Sequence, residues 1–217
     1  MAKLVVVFSG GLDSTVLLAS LKSQGHTLHA FSVFYGQRHQ KELHNASVIS
    51  GLLGVPHSVI DISNLKDLFT GSALTTNVAV PHGHYTDAVM AVTVVPNRNM
   101  VLLSLAFAKS VSIGFDGVAY GAHAGDHAIY SDCRPGFVTS MVEAAKYSSV
   151  TGQMLLAPFL HLHKSDIVRL GASLEAPLEL SWSCYEGLEF HCGKCATCVE
   201  RKEAFVLASV VDPTQYV

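Results

Sequence analysis

The chain has 217 residues, of which 49% are hydrophobic and only 14% are charged. This composition excludes an intrinsically disordered protein, because disorder requires low hydrophobicity and high charge. Lysine and arginine number 14 against 17 acidic residues, and the net charge of −3 argues against direct nucleic-acid binding. The most apolar stretch, residues 100–108, is too short for a membrane span, and the N-terminal apolar run ends in glycines instead of a signal-peptide cleavage site. We therefore expect a cytoplasmic protein.

Apolar runs and helical periodicities alternate along the first 60 residues. Strands are predicted over residues 4–8, 28–34 and 58–62, with helices over 14–23 and 41–53 between them. This order is typical of an α/β protein with a doubly wound parallel sheet. A long loop is predicted over 70–97, followed by helices over 99–113, 137–147 and 164–170 and a short strand over 117–120. We predict an α/β domain over 1–182 and a C-terminal element over 183–217 packed on it.

A glycine-rich loop follows the first strand and reads Ser9-Gly10-Gly11-Leu12-Asp13-Ser14. The glycines permit a tight turn, and the free N–H groups of the next helix provide an anion site. Because Asp13 would repel a phosphate unless a cation lay between them, the loop suggests Mg²⁺. It has neither the lysine of a Walker A motif nor the G-x-G-x-x-G of dinucleotide folds. The alternative is a plain turn in which Asp13 or Ser14 caps the helix.

Four of the five cysteines fall near the C-terminus with the spacing C-x₇-C-x₂-C-x₂-C: Cys184, Cys192, Cys195 and Cys198. Four thiolates are the usual ligands of a structural zinc ion, and they leave no open position for catalysis. We expect one structural Zn²⁺ per chain. Disulfides, which a cytosolic setting disfavours, and an iron–sulfur cluster are the alternatives.

Three polar segments follow predicted strands or begin predicted helices. Arg98 stands at a helix start, where it can face a phosphate or a carboxylate, and Arg38 follows the second strand, at the sheet edge where such folds bind ligands. The densest segment is 121–134, in which Asp126 and Asp132 could accept hydrogen bonds from a purine-like ligand. Cys133 in this segment is either a nucleophile or a buried, inert thiol.

The loop over residues 9–14 resembles the PP-loop of ATP pyrophosphatases, which cleave ATP between its α- and β-phosphates. Further motifs follow in order: Y-G-Q-R-H at 35–39, V-P-x-R-N at 95–99, D-x-x-x-Y-x-D-C-R at 126–134, S-C-Y-x-G at 183–187 and C-G-x-C-x-x-C at 192–198. Together they resemble the family of 7-cyano-7-deazaguanine synthases of queuosine and related deazapurine biosynthesis, over residues 4 to about 205.

The resemblance implies an adenine nucleotide alpha hydrolase-like fold and an ATP-dependent ligase. The substrates would be 7-carboxy-7-deazaguanine, ammonia and ATP with Mg²⁺. The carboxylate and then the amide would be adenylated, releasing AMP and pyrophosphate, and the product would be the 7-cyano compound. A homodimer is a further expectation from the family.

The resemblance also implies roles for particular residues. ATP binding maps to Arg38 and to the segment made of Phe8, Ser9, Gly10, Gly11, Leu12, Asp13, Ser14, Thr15, Val16, Leu17 and Leu18. Catalytic roles are expected for Asp13, Arg98, Asp126, Asp132, Arg134 and Lys164. Lys164 aligns with a lysine that PP-loop enzymes place near the phosphates, although a surface residue at a helix start is the alternative. The chain departs from the family at Leu12, Asn97 and Ser131, where glutamine, glycine and proline are usual.

Two other functions remain as alternatives. One is another PP-loop enzyme, such as a tRNA-modifying thiolase or an amidoligase, but the small number of basic residues argues against a tRNA-binding surface. The other is a zinc-knuckle binding protein with a vestigial ATP loop, which the intact Ser9, Asp13 and Ser14 argue against.

Overall fold

The computed structural model describes residues 1–37, 41–76, 78–84 and 90–217. Within them the strands are β1 (Lys3–Val7), β2 (Thr27–Phe34), β3 (His57–Asp61), β4 (Gly117–Ala119) and β5 (Met154–Leu156). They form one parallel sheet in the spatial order β3-β2-β1-β4-β5. The strand order reverses at β1, so the prediction of a doubly wound parallel sheet is confirmed.

Helices cover both faces of this sheet. They are α1 (Leu12–Ser23), α2 (Lys41–Leu52), α3 (Arg98–Ser112), α4 (Pro135–Ala145), α5 (Lys164–Ser173) and α6 (Ala196–Ala208). One apolar cluster joins α1, α2, α5 and α6 to the sheet, and a second joins α3 and α4 to the opposite face. In β1, Leu4 and Val6 belong to the first cluster and Val5 to the second. The strand is therefore a continuous apolar run, as expected where both faces are buried.

Strand β5 and helix α6 were not predicted from the sequence patterns. Strand β5 has only three residues, too few for a periodic signal. Helix α6 buries Thr197, Cys198 and Arg201 together with its apolar residues. Because polar residues ordinarily lie at the surface, the buried face of this helix could not be recognised from the sequence. The division at residue 182 stays a prediction. Phe205 of the C-terminal element belongs to the same apolar cluster as α1 and α5.

The segment Ala91–Ser112 is 22 residues long with a mean hydropathy of 1.3 in its most apolar window, which is enough for a membrane span by length and composition alone. It is not one regular helix. A 3₁₀ turn covers Ala91–Thr93, Pro96 follows, and α3 begins only at Arg98. With 15 residues, α3 is shorter than the roughly 20 that a span requires. Its buried residues Leu103, Ala106 and Phe107 pack in the core cluster with β1 and β4.

The loop after β1 meets the segment after β4 at the point where the strand order reverses. A Cβ atom built on Gly121 would lie 3.6 Å from the backbone carbon of Asp13. Ligand sites of doubly wound folds form at this position, outside the carboxyl ends of the strands. The topology therefore brings together two of the segments that the sequence analysis selected.

A glycine is required at position 10 because α2 packs closely against the loop after β1. Its φ is +81°, a conformation that residues with a side chain rarely adopt. A Cβ atom there would lie 2.6 Å from the backbone oxygen of Glu42 and 2.8 Å from the backbone nitrogen of Ala46. Both neighbours are backbone atoms of α2 and cannot rotate away.

We predict that Gly10→Ala lowers the free energy of unfolding by about 2–5 kcal/mol, because positive φ costs about 1–2 kcal/mol and overpacking about 1–3 kcal/mol. Urea unfolding followed by fluorescence of Trp182, the single tryptophan, measures the change. The matched control is Gly51→Ala in α2, where an added Cβ meets no atom within 4 Å. That control should leave stability unchanged or raise it by roughly 0.5–1 kcal/mol. Equal effects of the two changes would contradict the steric argument.

Candidate active site

A cavity of about 260 Å³ opens at the carboxyl ends of β1, β2 and β4. Its wall is formed by the loop after β1, the first turns of α2, α3 and α5, the segment after β4 and part of residues 182–198. We call residues 182–198, which contain the four clustered cysteines, the cysteine element. Several predicted site residues line it: Phe8, Ser9, Gly11, Leu12, Asp13, Ser14, Arg98, Asp126 and Lys164. The structure thus brings the predicted ATP loop and four of the six predicted catalytic residues to one cavity.

Among the described residues, the other predicted ATP-binding and catalytic residues do not line this cavity. Gly10 supports the loop from behind, and Thr15, Val16, Leu17 and Leu18 are buried in α1. Arg38 lies outside the described residues. Asp132 accepts a hydrogen bond from the Asn99 backbone N–H at 3.1 Å and so supports the start of α3. Arg134 is exposed and donates to the backbone oxygens of His127 and Ala128 at 2.6 and 3.1 Å. Their catalytic roles stay predictions.

The loop after β1 is held by its own serines. Ser9 Oγ accepts a hydrogen bond from Gly11 N at 3.1 Å and lies 3.2 Å from Ser14 Oγ, which donates to the Gly11 carbonyl. Gly11 is the N-cap of α1 and provides no side-chain cap. The first N–H groups of α1 therefore remain available at the positive end of the helix, which is the arrangement that binds an anion.

Lys164 lies among acidic side chains at the mouth of this loop. Its Nζ is 2.6 Å from Glu200 Oε2 and 3.5 Å from Asp13 Oδ2. Burial would lower the pKa of Lys164, but Asp13, Glu200 and Asp126 together raise it above its ordinary value. Burial would likewise raise the pKa of Asp13, yet Lys164 and His123 outweigh it and hold this pKa below the usual range. Both groups are therefore ionised at neutral pH.

His123 adds a ring N–H group to this network. Its Nδ1 accepts a hydrogen bond from Gly125 N at 3.1 Å, so its proton is on Nε2. Nε2 lies 3.4 Å from Asp126 Oδ2 and 3.8 Å from Asp13 Oδ1. Within the described part of the chain, Asp13 Oδ1 is buried and has no hydrogen-bond partner. An unsatisfied carboxylate oxygen beside an anion-binding loop fits a ligand for a divalent cation.

Arg98 lines another part of the cavity, among tyrosines. Burial alone would lower its pKa, but the hydroxyls of Tyr35 and Tyr130 more than offset burial and raise the pKa above its ordinary value. Within the described ranges, no carboxylate lies within ion-pair distance of the guanidinium. Arg98 is therefore a half-buried cation beside tyrosine hydroxyls, and it can receive a carboxylate or phosphate.

The turn before Arg98 explains one departure from the family pattern. Asn97 has φ +56°, in the left-handed region that glycine adopts freely and asparagine tolerates. Asparagine in place of the usual glycine therefore preserves the turn that presents Arg98.

Cys133 is buried, and its thiol accepts a hydrogen bond from Asn99 Nδ2 at 3.3 Å. Burial, reinforced by Asp126 and Asp132, raises the pKa of this thiol well above its ordinary value. A protonated thiol is a poor nucleophile, so the structure favours the inert alternative.

The four clustered cysteines are all buried, and their sulfur atoms lie within 4.8 Å of one another. Cys192 Sγ and Cys198 Sγ are 3.9 Å apart. Sulfurs that bind one tetrahedral ion at about 2.3 Å are separated by roughly 3.8 Å, so the set fits a single metal ion. The neighbouring His191 is not part of the set, because its Nε2 accepts a hydrogen bond from Ser183 N and its ring stacks on Trp182.

Comparison with known proteins is consistent with this geometry. Residues 3–209 match the family described as "Queuosine biosynthesis protein QueC". The chain belongs to this family. It is 48% identical over 216 residues to the 7-cyano-7-deazaguanine synthase of Brucella ovis, covering 99% of this chain and 93% of that protein. The enzyme of the same name from Allorhizobium ampelinum is 47% identical, with 99% and 92% covered.

Among solved structures, the U34-tRNA thiolase NcsA from Methanococcus maripaludis, solved with its [4Fe-4S] cluster, is similar with a TM-score of 0.52. The match covers 95% of this chain and 67% of the thiolase chain, at 16% sequence identity. At this identity the likeness shows the fold alone. The resemblance to the synthase family and the PP-loop fold class are both confirmed.

Two acidic residues in the cavity region of this QueC family member were not predicted from the sequence. Glu42 lies in the first turn of α2 and lines the cavity, and Glu200 lies in α6 and pairs with Lys164. Glu42 follows the Y-G-Q-R-H motif closely, which could have signalled it. Glu200 stands two residues after Cys198, where the sequence suggested only a metal-binding cysteine cluster.

We predict that Lys164→Met destabilises the protein more at pH 8 than at pH 5. Without the cation, the pKa values of the surrounding carboxyls rise above their values in the unfolded chain. Such groups favour folding at low pH, and this contribution is lost as the pH rises through the folded-state pKa values. Removing one partner of a buried pair should cost about 3–5 kcal/mol at pH 8 and less at pH 5.

Urea unfolding at the two pH values measures this difference. Lys146→Met is the control, because the Lys146–Glu143 pair is more than half exposed on both sides. It should change stability by at most about 0.5 kcal/mol at either pH. An equal loss at both pH values in Lys164→Met would contradict the charge network.

Proposed function

We propose that this enzyme converts 7-carboxy-7-deazaguanine, ammonia and ATP into 7-cyano-7-deazaguanine, AMP and pyrophosphate. The observation that carries the proposal is the juxtaposition of the anion-binding loop, Lys164 and Arg98 around one cavity, in a chain that matches named synthases almost from end to end. A carboxylate resists attack by an amine because oxide is a poor leaving group. Transfer of AMP to the carboxylate oxygen removes that obstacle, and transfer to the amide oxygen prepares the nitrile.

The chain's own residues divide this work between two parts of the cavity. The N–H groups at the start of α1 and the hydroxyls of Ser9 and Ser14 bind the departing pyrophosphate. Lys164 stabilises the negative charge that develops on the phosphates. Arg98 orients the carboxylate of the deazapurine for attack on the α-phosphorus. Asp13 would hold Mg²⁺, which neutralises phosphate charge when bound.

The deazapurine ring would lie against the tyrosine part of the cavity. Tyr35, Tyr120, Tyr130 and Tyr185 line it and supply aromatic faces and hydroxyls. Asp126 lines the same cavity and could accept hydrogen bonds from the ring's exocyclic amine. Asp132 would contribute indirectly, because it supports the start of α3, which carries Arg98.

The enzyme assay uses 7-carboxy-7-deazaguanine, ATP, Mg²⁺ and ammonium, with products identified by mass spectrometry. We expect the nitrile together with AMP. Failure of the folded, metal-loaded protein to form the nitrile would refute the proposed function.

In the same assay, Asp13→Asn should lower AMP formation on the order of 100-fold or more, because a charged ligand beside the phosphates is lost. The exposed Asp67→Asn should leave the rate unchanged. Full activity of Asp13→Asn would contradict the role of Asp13.

We also propose that the four clustered cysteines bind one structural zinc ion. The sulfurs are too close together to surround a four-iron cube, and each is supplied by this chain. The cytoplasmic location that we infer agrees with five cysteines that form no disulfide. A homodimer stays a prediction.

Cys195→Ser should remove the zinc and expose Trp182, which packs in the same buried cluster as the cysteines. Elemental analysis and tryptophan fluorescence measure the two effects. Cys133→Ser is the matched control and should keep one equivalent of zinc, since Cys133 lies outside the cluster. Iron in place of zinc, or a well-folded and metal-free Cys195→Ser protein, would contradict the proposal.

A further inference from the structure

The proposed reaction releases protons from nitrogen, and a group in the cavity should accept them. When ammonia adds to the adenylated carboxylate, the attached nitrogen carries one proton too many for an amide. The adenylated amide later carries two N–H protons that are absent from the nitrile. A positioned base would speed both steps, since general-base catalysis is worth on the order of 10²–10⁴-fold.

Most candidate bases in the described cavity wall are already committed. Asp13 is held by Lys164, and Asp126 lies beside the Nε2–H of His123. His123 has no free lone pair, because Nδ1 accepts the Gly125 N–H. The Cys133 thiol is protonated, and so is Lys164.

Glu42 differs from these groups. Its side chain lines the cavity from the first turn of α2, and its backbone oxygen contacts the loop after β1 at Gly10. Within the described part of the chain, its carboxyl group makes no hydrogen bond or ion pair. The charged or titratable groups that interact with it there are Arg98 from α3 and Tyr35 after β2.

We propose that Glu42 is the base that takes the nitrogen-bound protons in the amide-forming and nitrile-forming steps. The assignment rests on the proposed function, because only that reaction supplies these protons. Glu42 interacts with Arg98, the cation proposed to orient the reacting carboxylate, so its carboxyl group lies in the part of the cavity where that carboxylate would be held.

In the first step, the ammonia nitrogen bonds to the carbonyl carbon and one N–H proton passes to Glu42. The C–O bond to AMP then breaks, and its electron pair leaves with the AMP oxygen. In the second step, the adenylated amide loses one N–H proton to water from its positively charged nitrogen. Glu42 takes the other proton as the C–O bond breaks and the third C–N bond forms. Between the steps Glu42 returns its proton to water.

The acid–base property of Glu42 suits this task. Burial raises its pKa to about 7, although Arg98 opposes the shift. A base with a pKa near the working pH combines a substantial ionised fraction with adequate proton affinity.

The test separates adenylation from nitrogen transfer in the full-length, zinc-loaded enzyme. Pyrophosphate exchange that depends on 7-carboxy-7-deazaguanine, without ammonia, reports adenylation, and quenched-flow mass spectrometry reports amide and nitrile. Glu42→Gln should keep exchange within about threefold of wild type but lose on the order of 10²–10⁴-fold in amide formation. Glu143→Gln, an exposed glutamate of α4, should change neither rate.

Two further measurements distinguish a catalytic role of Glu42 from misfolding of the variant and from the titration of ammonia itself. At a constant concentration of free ammonia, the wild-type rate of amide formation should rise with pH through about 7, and Glu42→Gln should lose this rise. Formate should restore part of the amide formation in Glu42→Ala, because it supplies a carboxylate to the vacated space.

Two results with an active wild type would overturn the role of Glu42 and leave the proposed function standing. One is amide formation by Glu42→Gln at the wild-type rate. The other is a loss of pyrophosphate exchange as large as the loss of amide formation, which would make Glu42 a binding residue. A wild-type enzyme that forms neither amide nor nitrile would refute both proposals.

Discussion

The buried guanidinium of Arg201 holds the cysteine element and the C-terminal tail in one arrangement. It donates to Leu178 O, Ser181 Oγ and Ser183 Oγ on one side and to Thr214 Oγ1 on the other, at 2.7–3.1 Å. Asp212 Oδ1 lies 3.6 Å away. A buried arginine is tolerated only when its donors are satisfied, so both segments are fixed by the same requirement.

The anion-binding loop depends on this arrangement. Trp182 lies between the two serines that Arg201 binds, and its backbone N–H donates to the Gly10 carbonyl at 2.9 Å. Its indole Nε1–H donates to Cys184 O. The loop is therefore supported from behind by α2 and from one side by the cysteine element. A metal ion bound by the four cysteines would therefore act on the reaction only through its support of the loop.

Helix α6 links the cysteine element to Lys164 as well. The helix begins next to Cys195, and Cys198 lies in its first turn. It carries Thr197, which lines the cavity, and Glu200, which pairs with Lys164. Because a helix is rigid over so few residues, binding a metal at its start determines where Glu200 stands. Loss of the metal should therefore disturb Lys164 as well as the fold.

Much of this could be predicted from the sequence, because the relevant signals are local. A continuous apolar run, a glycine pair and a helix of period 3.6 predicted β1, the loop and α1 within two residues, and the cysteine spacing predicted the metal-binding set. Glu200 and Arg201 could not be found in this way, and only its position just after the Y-G-Q-R-H motif marks Glu42. Their significance comes from residues far along the chain, and a charged residue in a helix ordinarily indicates a solvated face.

The two cations of the cavity, Arg98 and Lys164, stand in different electrostatic surroundings. Arg98 stands among tyrosine hydroxyls, and within the described ranges no carboxylate is paired with it, so an incoming carboxylate can take that place. Among the described residues, Lys164 is the one cation opposite Asp13, Glu200 and Asp126, so that end of the cavity carries more acidic than basic groups before any ligand arrives. A nucleotide triphosphate would be repelled there, despite the helix dipole, unless a divalent cation entered with it. The buried, unsatisfied oxygen of Asp13 is therefore best understood as part of a site completed by Mg²⁺ and nucleotide together, whereas the site at Arg98 is ready for the deazapurine carboxylate without further charge.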